Sequence, residues 1–280
     1  MKKLQALLLI AVMVTGFAAC NSAEPTKGDA TDPATTEITT AAEITSEQPT
    51  TEPTTSEEET TAAEEGLADP TGLSKAELVE WYNERLNHVR SAKPKISREA
   101  VHRIDKFETT LLGGVADGII NNIVAKNMPG DPEFTVTPKG RANNGEFLST
   151  TATSNVRASD VTSITAHKEG DNYLIAFSLG EETNSAKDGA SKYSRVFNIV
   201  SAKEVMDGVA PVGIVGDPSN ATLVYSNGKV TVTVNPQGEI IKATTYSDLV
   251  IYAKQVKVSA FKFDLTVYEQ SYSTYSGFVY

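Results

Sequence analysis

The chain has 280 residues, a formal net charge of −11 at pH 7 and a single cysteine. One cysteine cannot form a disulfide within the chain, so the folded part must depend on its apolar core. Proteins that bind nucleic acid carry clustered basic charge, and no part of this chain is basic enough to predict a nucleic-acid partner.

A short apolar segment lies close to the amino terminus. Two lysines precede an apolar run over residues 4–14, which is shorter than the roughly 20 residues that a membrane-spanning helix needs. The pattern is typical of a secretory signal peptide, which we assign to residues 1–19. The sequence around its end, "FAAC", resembles the lipobox of bacterial lipoproteins, with Phe17 in place of the usual aliphatic residue.

The resemblance to a lipobox implies that the sulfur of Cys20 carries a diacylglyceryl group. Two acyl chains, such as palmitate, anchor a protein stably, whereas one chain holds it only marginally. We therefore predict a lipoprotein that is attached through Cys20 to the outer face of a bacterial cell membrane. The alternative is an ordinary signal peptide that happens to end near a cysteine.

Residues 20–70 have the composition of a disordered linker rich in threonine, glutamate and proline. After Cys20 they contain 13 acidic residues, one lysine and no aromatic residue. Such a segment cannot bury enough apolar surface to offset the conformational entropy that ordering removes. Its net charge of 1 − 13 = −12 leaves the rest of the chain close to neutral. We interpret it as a spacer that holds a domain away from the membrane.

Residues 71–280 are predicted to form one globular α+β domain. In "LSKAELVEWYNERLNHV", Ser74 and Glu77 have the spacing of a capping box at the start of a helix. The apolar residues that follow recur every three or four positions, as one helix face requires: Leu78, Tyr82, Leu86 and Val89. A second helix is predicted over residues 107–128, "FETTLLGGVADGIINNIVAKNM", because its apolar residues also follow a helical period.

From about residue 133 the apolar period changes to two, which indicates strands. "DNYLIAFSL" alternates apolar and small or polar residues, and the pair Asn227-Gly228 predicts a two-residue hairpin turn. "NPQGE" predicts a second turn, and a change of apolar phase near Ala260 predicts a bulge or sharp bend. We expect a curved antiparallel meander of about six to eight strands, with the two N-terminal helices covering one face.

The order of lipobox, Thr/Glu-rich spacer, helix with "WYNERLNHV" and hairpin-rich C-terminal half resembles surface lipoproteins of Gram-positive bacteria. This resemblance implies a location and no particular activity. A curved sheet closed by helices is also similar to the half-barrel of lipoprotein-carrier and lipid-binding proteins. That likeness concerns the fold alone, and a fold does not determine a function.

No pattern typical of catalysis or metal binding stands out. His88, His102 and His167 lack the spacing of metal ligands, and a G-x-S-x-G nucleophile motif is missing. The sequence therefore predicts no cofactor and no metal, and it favours a non-enzymatic protein.

Aromatic residues are concentrated at the C-terminus, in "YEQSYSTYSGFVY". On an extended strand, the even-numbered ones share a face and form a candidate ligand face: Tyr268, Tyr272, Phe278 and Tyr280. The alternative is a core strand. We expect a binding module for a cell-wall polymer, glycan or protein partner. The alternatives are a carrier of lipid or a small apolar ligand in a cavity between sheet and helices, and an enzyme with a scattered site.

Overall fold

The computed structural model describes residues 67–110, 118, 132–141, 147–149, 151–187 and 189–280. The predicted signal peptide, Cys20 and all but the end of the predicted spacer lie outside the described residues. Pro70 is buried and Leu67 packs against the core. The folded domain therefore extends at least to Leu67, into the segment that the sequence assigns to the spacer.

Three α-helices and nine β-strands are assigned within these residues. The helices are α1 (Lys75–Ala92), α2 (Lys192–Val196) and α3 (Ala202–Val209), with short 3-10 helices at Pro70–Gly72, Ala210–Val212 and Pro218–Asn220. The strands are β1 (Lys95–Thr109), β2 (Glu133–Thr137), β3 (Val161–Glu169), β4 (Asn172–Leu179), β5 (Glu182–Thr183), β6 (Ile214–Val215), β7 (Ala221–Val234), β8 (Ile240–Val258) and β9 (Phe261–Val279).

The nine described strands form one open antiparallel sheet. Their order is β2-β1-β9-β8-β7-β4-β3, with β5 paired to β7 and β6 paired to β8. The prediction of a sheet-rich, antiparallel fold is confirmed. The finer prediction of six to eight strands below two N-terminal helices does not match well: nine strands are described, α2 and α3 lie between β5 and β6, and most of the second predicted helix falls outside the described residues.

Helix α1 forms where the capping box predicts it. The Ser74 hydroxyl accepts a hydrogen bond from the Glu77 N–H, and the Glu77 carboxylate accepts one from the Ser74 N–H. The predicted apolar stripe is buried throughout: Leu78, Tyr82, Leu86 and Val89. The ring of Tyr82 meets Phe177 of β4 at 4.9 Å between centroids, edge to face. Burial of each such side chain stabilises the fold by about 1.5–3 kcal/mol.

Strand β1 occupies the start of the second predicted helix. Phe107 belongs to this strand, and of the helix predicted after it only residues 107–110 and 118 are described. The apolar period of β1 is hidden because two of its buried positions are polar. The buried side chains are Ile96, Arg98, Ala100 and His102.

The pair Asn227-Gly228 makes a β-bulge and no hairpin. Strand β7 continues through both residues, which together face a single residue of β8, Ser247. Asn227 takes the left-handed conformation, with φ +53°. The prediction of a hairpin turn is therefore wrong, although the turns at "NPQGE" and after Val258 are present.

The sheet has a buried inner face and an outer face that is half-buried or exposed. On β8 and β9, residues of the two faces alternate, and Leu249, Ile251 and Leu265 are among those on the inner face. Helices α1 and α2 pack on the inner face, where Tyr193 of α2 contacts Tyr225 of β7 at 5.3 Å between rings. No such layer of described helices covers the outer face of β8 and β9.

Candidate functional site

The four aromatic residues predicted as a ligand face lie in two places. Tyr268 and Tyr272 lie on the outer face of β9. Phe278 and Tyr280 pack against the core. The Phe278 ring lies 5.5 Å from that of Phe147, and the Tyr280 hydroxyl donates to a backbone carbonyl of β8 at 2.9 Å.

A bulge near the end of β9 separates the two pairs. Gly277 and Phe278 together face one residue of β1, Ile96, and Gly277 has φ +63°. An extra residue reverses the alternation of side chains between the two faces. The prediction that all four residues share one face is therefore wrong for Phe278 and Tyr280.

Two tyrosines of β8 join Tyr268 and Tyr272 on the outer face. Tyr246 is directly opposite Tyr272 in the register of β8 and β9, and Tyr252 is opposite Thr266. We call these four residues the tyrosine face: Tyr246, Tyr252, Tyr268 and Tyr272. Tyr252 is 42% exposed and Tyr272 is 46% exposed. The β8 pair could have been found from the sequence, because both tyrosines alternate with the apolar residues around Leu249.

Charged groups lie beside the rings of the tyrosine face. The Lys106 ammonium lies 4.2 Å from the centroid of the Tyr268 ring, within reach of a cation–π interaction. The Tyr246 hydroxyl donates to the Asp248 carboxylate, and this bond raises the pKa of Tyr246 to about 12. Phenol, ammonium and carboxylate groups therefore lie together on one face of the sheet.

A polar cavity of about 40 Å³ lies on the opposite, inner face. Its floor consists of cross-strand neighbours from β1, β9 and β8. His102, Ser271 and Ser247 form one row, and Ser273 and Thr245 lie in the next. Arg98 and Tyr275 form a third row, and Leu148, Phe197 and Asn198 complete the lining. Apolar side chains fill most of the inner face elsewhere, so this concentration of polar groups is local.

His102 is held by Glu269 within this cavity. The Nδ1 atom of His102 lies 3.2 Å from a Glu269 oxygen and 3.0 Å from the Ser271 hydroxyl. In a Ser-His-acid catalytic triad, the serine and the acid contact opposite nitrogens of the ring. Ser271 and Glu269 contact the same nitrogen, so this cluster is not built to activate Ser271 as a nucleophile.

The three histidines lie in different surroundings. His88 stacks on the Tyr280 ring at 5.6 Å, His102 lines the cavity, and His167 is exposed on β3. Within the described part of the chain, no three His, Cys, Asp or Glu side chains are placed to hold a metal ion.

Comparison of the chain with protein-family models, with curated proteins and with solved structures finds no match. The resemblances to surface lipoproteins and to half-barrel carriers therefore stay predictions. None of the described helices combines the length and the apolar character needed to cross a bilayer.

Proposed function

We propose that this protein is a lipid-anchored lipoprotein of the bacterial cell surface and that its domain is a non-enzymatic module that binds a glycan or sugar-containing wall polymer. The tyrosine face is the proposed binding surface. The observation that carries the proposal is the presence of four tyrosines on the outer face of two adjacent strands, with Tyr252 and Tyr272 exposed, Tyr246 and Tyr268 half-buried, and Tyr246 directly opposite Tyr272. Cys20 supplies the proposed anchor.

The spacing of the rings suits an extended ligand. Residues along a strand rise about 3.3 Å each, so Tyr246 and Tyr252 are roughly 20 Å apart and Tyr268 and Tyr272 are roughly 13 Å apart. Rigid aromatic rings give a large contact area and lose little conformational entropy on binding. An extended polymer can contact several of these rings at once.

The groups around the rings favour a sugar over a protein. Cores of protein–protein interfaces are depleted in lysine, aspartate and glutamate. On the tyrosine face, Lys106, Glu108 and Asp248 lie directly beside the rings. Sugars present apolar ring faces edged by hydroxyl groups, so they can stack on tyrosine and hydrogen-bond to the neighbouring charged groups.

The cavity on the inner face does not support the alternative of a lipid carrier. Pockets that enclose a drug-sized ligand have volumes of about 300–1,000 Å³ and are mainly apolar. The cavity beside His102 has a volume of about 40 Å³ and a polar floor. An acyl chain would not fit there.

The test measures how much of the full-length protein is retained on purified cell-wall polysaccharide. It compares the wild type with a variant that combines Tyr268→Ala and Tyr272→Ala. A stacked ring contributes about 0.5–1.5 kcal/mol, so loss of two rings should weaken binding by roughly ten-fold. Tyr272→Phe keeps the ring and should keep most of the binding.

Phe261→Ala is the matched control for this experiment. Phe261 has the same exposed fraction as Tyr272, 46%, and lies at the other end of β9. Its substitution should leave retention unchanged. Equal retention of the double tyrosine variant and the wild type would contradict the proposal, as would an equal loss in the Phe261 variant.

A further inference from the structure

The polar cavity on the inner face contains a buried cation that lacks an anionic partner. Arg98 is 8% exposed, and no acidic group of the described residues lies within 4.0 Å of its guanidinium. One of its terminal nitrogens donates to the Ser273 hydroxyl at 3.2 Å, and the guanidinium lies 5.8 Å from the Tyr275 ring centroid. A buried charge without a compensating partner destabilises a fold.

Two buried nitrogen atoms in the same cavity, one of them in the Arg98 guanidinium itself, lack hydrogen-bond partners. Among the described residues, nothing bonds to the Nε atom of Arg98 or to the Nε2 atom of His102. The Nδ1 atom of His102 already faces Glu269 and Ser271, so its other nitrogen is left for a different partner. In folded proteins nearly all buried polar atoms have a hydrogen-bond partner, which can be a protein group, an ordered water or an ion.

The remaining floor of the cavity consists of hydroxyl groups. Ser247, Ser271, Ser273 and Thr245 come from the two longest strands, at positions where the same face carries Leu249 or Ile251 a few residues away. Apolar side chains at these positions would pack into the core. The hydroxyl groups of Ser247, Ser273 and Thr245 can instead donate hydrogen bonds to an anion in the cavity, whereas the Ser271 hydroxyl already donates to Glu269.

We propose that this cavity binds a small carboxylate, with Arg98 as its charge partner. A carboxylate matches the planar fork of a guanidinium and can accept hydrogen bonds from the serine and threonine hydroxyls. The cavity, with a volume of about 40 Å³, has room for a group of this size. The site lies on the opposite face of the sheet from the tyrosine face and does not depend on the proposed function.

Thermal unfolding of the full-length protein with sodium formate, sodium acetate and sodium phosphate tests this inference. Ionic strength is kept constant with sodium chloride, whose anion has no carboxylate group. At a concentration near 100 times the dissociation constant, acetate or formate should raise the midpoint by about 5–10 °C. A midpoint that does not respond to either anion would overturn the proposal, and so would a response to phosphate alone.

The variants separate a binding role of Arg98 from a structural one. Arg98→Met should abolish the response to acetate and should unfold, without acetate, at the same or a higher temperature than the wild type. Arg103→Met, which removes an exposed arginine of the same strand, should respond as the wild type does. Ser247→Ala should weaken acetate binding by roughly five-fold while keeping Arg98. Undiminished acetate responses in the Arg98 and Ser247 variants would show that the anion binds elsewhere and would overturn the proposal.

Discussion

At the scale of single residues, a buried ion pair fixes helix α2 to the loop before β3. Arg195 of α2 donates two hydrogen bonds to the carboxylate of Asp160, at 2.7 and 2.6 Å, and a third to the Gly189 carbonyl. Burial by itself would raise the pKa of Asp160. The hydrogen bonds from Arg195 and from the Arg157 N–H outweigh it, so the pKa of Asp160 lies below its ordinary value.

This pair predicts a loss of stability in acid. Because the folded state holds the pKa of Asp160 below 3.8, the stabilisation is complete above about pH 5 and is lost as the pH falls through the folded pKa. Asp160→Asn should lower the free energy of unfolding at pH 7 by about 3 kcal/mol, since Arg195 loses its charged partner. The same variant should show a shallower loss of stability between pH 5 and pH 3.

Urea unfolding at a series of pH values measures both effects. Asp171→Asn is the control, because Asp171 is exposed in the turn between β3 and β4. It should unfold as the wild type does at every pH. If Asp160→Asn and the wild type lost stability in parallel below pH 5, Asp160 would not contribute to the acid sensitivity.

At the scale of elements, β-bulges decide which side chains reach the inner face. Before the bulge at Asn227-Gly228, the buried positions of β7 are odd-numbered, as at Leu223 and Tyr225. After the bulge they are even-numbered, as at Val230. The Gly228 N–H donates to the Tyr193 hydroxyl at 3.0 Å, which ties the bulge to helix α2. Burial raises the pKa of the same hydroxyl to about 12.

Gly228→Ala should destabilise the protein, because a methyl group at this position has no room. A Cβ atom there would lie 2.9 Å from the Tyr193 hydroxyl oxygen and 3.1 Å from the Phe197 ring. We expect a loss of about 1–3 kcal/mol in the free energy of unfolding, measured by urea denaturation. Gly72→Ala, where nothing lies within 4 Å, should change it by less than about 0.5 kcal/mol. Similar stabilities of the two variants would contradict the close packing at the bulge.

The same bulges limit what the sequence could reveal about the elements and the site. The capping box at Ser74 is a local signal, and it correctly placed the start of α1. The hairpin signal at Asn227-Gly228 is also local. Strand β7 nevertheless continues through this pair and is bonded to β8 before and after it, so the two residues form a bulge. The sequence did not indicate strand β1, because Arg98 and His102 occupy buried positions. Polar residues there interrupt the alternation of apolar residues that predicts a strand.

At the scale of the whole molecule, strands far apart in the sequence build both faces. β1 pairs with β9 across more than 150 residues, for example His102 with Ser271, and this pairing brings Arg98 to Ser273. The tyrosine face likewise needs β8 beside β9. No disulfide within the chain stabilises this pairing, because the chain has a single cysteine.

Cys20 leads to a prediction about where the intact protein is located. In a Gram-positive host, the wild type should incorporate labelled palmitate and sediment with membranes, and Cys20→Ser should do neither, because the sulfur is the proposed attachment point. Thr40→Ser, a change within the predicted spacer, should behave as the wild type. A Cys20→Ser protein that sediments with membranes as completely as the wild type would refute the anchor.

The sequence by itself determined the features that depend on neighbouring residues: the capped helix α1, the alternation in β4, the turn at "NPQGE" and the separation of an acidic segment from a nearly neutral domain. Only the tertiary structure decided which face each strand buries, because one extra residue in a strand reverses the alternation and its position depends on the partner strand. The tertiary structure therefore packs Phe278 and Tyr280 against the core, pairs Tyr246 with Tyr272, and places Arg98 beside the hydroxyl groups of β8 and β9.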